Sequence, residues 1–172
     1  MKALGKGSLA SILAAGLHIV RIVIFIAFAG LAIAAIMLPL APALIELASR
    51  VEGVNVESDL VIEGGDYIRL VYYFVTFGVM LYIVNRLLEI LRTLRFGSPF
   101  VRENAVRFRR VGYALLLGEA AKFFFGFLAL VTGAEIDIKI ELIAWIGIAA
   151  VFVLAEVFHE GARMKEEQDL TV

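Results

Sequence analysis

Four long apolar stretches constrain this chain more than any other feature. They run from about Ile22 to Leu47, Leu70 to Val84, Val111 to Thr132 and Leu142 to Phe158. Crossing the hydrocarbon core of a bilayer as an α-helix takes roughly 20 residues. The first and third stretches reach that length outright. The second and fourth reach it when flanking Arg or Glu side chains snorkel to the surface. A water-soluble core is the alternative, and it fails on size. The chain has 172 residues, is 62% hydrophobic and 19% charged, and has a mean hydropathy of +0.93. Soluble chains are nearer about half apolar and a quarter charged, and a domain this small cannot hide so much apolar surface from water. The fold expected is therefore all-α: an integral membrane four-helix bundle in a single domain. Its spans are placed at about 22–47, 69–86, 111–132 and 142–159.

Net charge is −1, but the charges are segregated, and their placement sets the orientation. Lys2, Lys6 and Arg21 precede the first span with no acid among them. The connection between the second and third spans carries Arg86, Arg92, Arg95, Arg102, Arg107, Arg109 and Arg110 against Glu89 and Glu103. From Glu46 to Asp66 stand six acids and only Arg50; in the last loop Lys139 stands alone among three acids. Lys and Arg collect on the cytoplasmic side. Both termini and the arginine-rich connection are thus expected in the cytoplasm. The first stretch reads as an uncleaved span, because it is far longer than a secretory h-region and begins behind His18 and Arg21. Pro39 and Pro42 are expected to bend or end it. The absence of cysteine excludes disulfides and thiolate chemistry.

The connections carry local signals. Around Ser58-Asp59, two short β-rich runs closed by Gly64-Gly65 suggest a small hairpin, with an acidic spacer as the alternative. Leu87, Leu88, Leu91 and Leu94 continue the second helix past the membrane as an amphipathic extension. Gly97 suits a helix C′ position, and Ser98-Pro99 suits an N-cap and first turn. Residues 87–110 are therefore expected to form the tip of a long αα-hairpin, and 160–172 a helical tail.

Chemistry-bearing residues are few. Glu119 and Lys122 lie about 12 and 17 Å along the third span from Val111. Charges at such depth face the bundle interior and are functional hypotheses by default. A spacing of three lets them pair, and Gly112, Gly126 and Gly133 fall in heptad register with Glu119, where small residues permit close helix approach. The pair is either structural or a polar ligand or ion site. Glu156, with His159 and Glu160, ends the fourth span. Its Glu-x-x-His spacing resembles one half of a di-iron motif, but a second copy is missing, so no metal and no cofactor are expected. A position facing Arg21 or Arg86 across the bundle is expected instead. The arginines are explained by topology and anionic lipid rather than by nucleic acid. No nucleotide-binding or hydrolase motif is present, so no enzyme is expected.

Two segments carry a family resemblance. One is Leu94-Arg95-Phe96-Gly97-Ser98-Pro99-Phe100 with Asn104 and Gly112 after it; the other runs from Leu154 through His159-Glu160-Gly161 to Val172. Both resemble the bacterial four-span membrane proteins labelled domain of unknown function 2975. The resemblance implies a layout covering essentially the whole chain and a location in the inner membrane. Frequent neighbourhood of that family's genes to small Cro/CI-type helix-turn-helix regulators also implies a possible cytoplasmic partner. It implies no mechanism.

Two functions follow as expectations. The first is a non-enzymatic regulatory or sensory anchor, embedded in the lipid bilayer, whose hairpin and tail engage a soluble regulator. Asp169, Leu170 and Val172 would dock it, unless the tail is strapped to the chain's own Arg102, Arg107 or Arg109. The second is a small transporter or channel using Glu119 and Lys122, which would need a homo-oligomer to enclose a path.

Overall fold

The structure is a computed structural model that describes residues 9–49, 64–96, 99–133, 136 and 139–170. It is all-α. Four helices follow in order: α1 (Leu9–Ser49), α2 (Gly64–Phe96), α3 (Arg102–Thr132) and α4 (Leu142–Asp169). All four are long and apolar enough to cross a membrane. With 41 residues in α1 and 28 in α4, they measure about 60 and 42 Å at 1.5 Å per residue. Each exceeds the hydrocarbon thickness of about 30 Å, so their ends extend beyond it.

The helices pack in chain order, α1 on α2, α2 on α3 and α3 on α4; among the described residues α1 touches neither α3 nor α4. The bundle is open. Its buried apolar side chains are few and mostly small, among them Ile24, Val84, Ile90, Val111, Ala129 and Ala155. Large apolar side chains such as Phe127, Leu130 and Ile143 point outward, the last two more than three-quarters exposed. Water would penalise that surface at roughly 25 cal/mol per Å²; lipid does not. Two threonine hydroxyls within the apolar stretches are satisfied by their own helices, as lipid demands. The Thr76 and Thr132 hydroxyls donate to the carbonyls of Tyr72 and Leu128, at 2.8 and 2.9 Å.

Several sequence expectations are narrowed or changed. Pro39 and Pro42 do not end α1, which continues through both to Ser49; neighbouring groups in membrane helices tolerate the backbone carbonyls that proline frees. Gly64 and Gly65 do not close a hairpin but open α2. Asp66 in that first turn complements the helix dipole and accepts a 2.5 Å bond from Arg69. The remainder of the expected hairpin lies outside the described residues, as do Gly97 and Ser98. Pro99 is not the first turn of α3: it sits in a bend, and the helix starts at Arg102, with extended Val101 at its N-cap and no side-chain cap. At the far end of α3, Gly133 takes φ 73°. It serves as the left-handed C-cap that glycine alone adopts cheaply, rather than as part of a small face.

Candidate functional site

The expected extension of α2 and the restart of α3 meet around one side chain. Asn104, in the first turn of α3, is fully buried. Its Nδ2 donates to the Pro99 carbonyl at 3.0 Å, and its Oδ1 accepts from Arg107 Nη1 at 2.9 Å. The Thr93 hydroxyl, on α2, lies 2.9 Å from the same Oδ1 and 2.7 Å from the Ile90 carbonyl. Its single proton serves one of these at a time. The Asn104 amide N–H also donates to the Val101 carbonyl at 3.0 Å, so one asparagine closes the turn and ties it to α2.

A charged layer lies beside this knot. Arg86 Nη1 donates to both Glu89 oxygens at 2.8 and 2.6 Å, and Arg107 Nε reaches the same carboxylate at 3.3 Å. The Arg86 guanidinium also sits 5.1 Å from the Tyr82 ring centroid. Glu89, between two arginines, joins α2 to α3 a second time.

The tip is then pinned to α4. The Phe100 ring lies against Gly161, where a Cβ would come within 2.5 Å of it. Phe158 stacks between Phe100 and Phe108, with centroids at 5.6 and 4.8 Å. Farther along, the Phe152 ring covers Gly112, 2.8 Å from where a Cβ would stand. The two segments that carried the family resemblance therefore pack against each other. Each of these glycines accommodates a phenylalanine ring from across the α3–α4 packing.

Past Ala162 the chain leaves this packing. Arg163 pairs with Glu160 at 2.5 Å and Glu167 at 3.5 Å, so these three charges are met within their own helix. Asp169 ends α4 and is exposed, and Leu170 is 87% exposed. Among the described residues Arg102, Arg107 and Arg109 do not strap the tail down. Val172 lies outside the described residues.

Glu156 does not face Arg21 or Arg86. It pairs with Arg109 on the adjacent helix at 3.4 Å, since among the described residues α4 packs on α3 and on neither α1 nor α2. His18 and Arg21 instead line a recess of about 630 Å³ with Asn85, Arg86 and Arg92, between α1 and α2. Among the described residues no three of His, Asp and Glu come together as metal ligands.

Deep in α3, Lys122 Nζ lies 3.8 Å from Glu119 Oε2, both side chains about 15% exposed. The geometry is that of an ion pair without a hydrogen bond, and Glu119 Oε2 is buried with no hydrogen-bond partner.

Sequence reasoning singled out Pro99, Phe100 and Asn104 but missed Thr93, Glu89, Phe158 and the use of Gly161. One signal was legible: a glycine inside a charged helical stretch costs about 1 kcal/mol against alanine and asks for a packing reason.

A family model described as a protein of unknown function (DUF2975) matches residues 67–172. The match takes in nearly all of α2, then α3, α4 and both motif segments, and leaves α1 outside. No curated protein and no solved structure matches the chain significantly.

Proposed function

The chain belongs to the DUF2975 family, and we propose that it is a non-enzymatic regulatory or sensory anchor in the inner membrane. Its hairpin tip and α4 tail face the cytoplasm and engage a soluble protein. The observation that carries this reading is the packed unit at the helix ends. A buried asparagine knot and a shared glutamate hold the hairpin tip together, and a phenylalanine seated on glycine holds it against α4. The helices between are loosely packed and open. A packed platform that ends in an exposed charged helix and Leu170 is suited to present a docking surface, and the arginine distribution supports a cytoplasmic position for it.

The partner is a soluble cytoplasmic protein, with a small helix-turn-helix regulator as the first candidate. The test is deletion of Asp169–Val172. Retention of that regulator on native membranes should be lost while insertion and melting temperature stay unchanged. A truncated protein that melts earlier and still retains the regulator would contradict the reading.

One observation favours transport as the second reading: the Glu119 oxygen buried in α3 without a hydrogen bond. Transport would make activity depend on Glu119 and leave it indifferent to the tail. The open bundle would then need further copies of the chain to enclose a path.

A further inference from the structure

The groove between α2 and α3 offers a second kind of surface, built in two parts. Its inner part is apolar, about 420 Å³, lined by Gly78, Val79, Tyr82, Tyr113, Ala114 and Leu117. All of these lie within or beside the apolar stretches of the two helices. Its outer part is polar, about 340 Å³, and holds Arg102 and Arg107 with Glu89 and Glu103. Arg110 lines both parts. From Arg110 the apolar part descends about 10 Å along α3 to Leu117.

The charges of the outer part are unequally matched. Glu89 is already held by Arg86 and Arg107. Among the described residues Arg102 and Arg110 have no carboxylate partner, and Glu103 is the one other acid beside them. The groove thus has an apolar trough on the membrane side and two free guanidiniums at its mouth. Guanidinium is the side-chain group best matched to a phosphate.

The geometry points to an anionic phospholipid as the occupant, with an acyl chain in the trough and its phosphate between Arg110 and Arg102. Charge complementarity selects the anionic headgroup, because a choline ammonium would meet the same guanidiniums. Gly78 is the floor that makes room for the chain: a Cβ added there meets nothing within 4 Å. A larger side chain at that position fills the trough without displacing backbone. This assignment does not depend on the regulatory reading or on which leaflet the groove faces.

The test uses the full chain purified in detergent, with thermal unfolding read after addition of phosphatidylglycerol or of phosphatidylcholine with the same acyl chains. Phosphatidylglycerol should raise the midpoint by several degrees more than phosphatidylcholine. Arg110→Gln should remove more than half of that difference, and so should Gly78→Leu. Leu117→Trp fills the trough from the other wall and repeats the test should Gly78→Leu fold poorly in phosphatidylcholine. Equal effects of the two lipids would overturn the assignment. An advantage that survives both trough-filling variants would also overturn it, leaving only surface attraction between charges. Full reproduction by soluble glycerol 3-phosphate would overturn it in favour of a free phosphate site.

Discussion

Asn104 shows how a single polar side chain can decide a turn. Both ends of its carboxamide are used, the Nδ2 on the Pro99 carbonyl and the Oδ1 on Arg107 and Thr93. Asn104→Ala removes the Pro99 carbonyl's partner and one of Arg107's, while Thr93 keeps the Ile90 carbonyl and Arg107 keeps Glu89; a cost of about 1–3 kcal/mol, read as a lowered unfolding midpoint in detergent, is the expected result. Asn104→Asp keeps the acceptors but loses the bond to Pro99, so it should fall between wild type and alanine. Glu119 and Lys122 are the other residue-scale case. Glu119→Ala strands a buried ammonium and should cost about 1–3 kcal/mol. Adding Lys122→Ala should recover part of that loss. A double variant less stable than either single one, in the same unfolding measurement, would mean that the two are not partners. That both residues share a helix face was readable from their spacing of three. The missing hydrogen bond was not, because it depends on rotamers that sequence does not specify.

At the scale of elements, the four helices were legible because lipid imposes one simple rule: long apolar runs with every backbone group satisfied internally. Their ends were less so. The glycine pair before Asp66 looked like turn chemistry, yet a favourable carboxylate in the first turn and the Arg69 bond start α2 there. Pro39 and Pro42 looked like terminators and are interior. Phe100 was noticed as part of a motif, but its seat on Gly161 is a contact across 61 positions of chain, and no local pattern encodes it. That contact makes a prediction. Gly161→Ala drives a methyl into the Phe100 ring and should destabilise by about 1–3 kcal/mol, the usual cost of overpacking. With Phe100→Ala in the background the methyl has room, so the second substitution should add little. Simple additivity of the two losses in a double-mutant cycle would show that the ring does not sit on Gly161 in the membrane-extracted protein.

For the whole molecule, an open row of helices with outward-facing apolar side chains is sensible only in lipid, and its inter-helix polar network lies at one end. The hairpin tip and the end of α4 lie on the same side because α2, α3 and α4 run alternately up and down. In the proposed reading, the arginines of that end and the acids of the opposite connections put it on the cytoplasmic side. The account therefore rests on where that end lies, and the chain's lack of cysteine makes this directly measurable. Single cysteines are introduced as Ser58→Cys, Ser98→Cys and Thr171→Cys and treated with a membrane-impermeant maleimide, first on intact cells and then on inverted membrane vesicles. The account predicts labelling at position 58 in intact cells, and at positions 98 and 171 only in the vesicles. Labelling at position 98 or 171 from outside intact cells would contradict it.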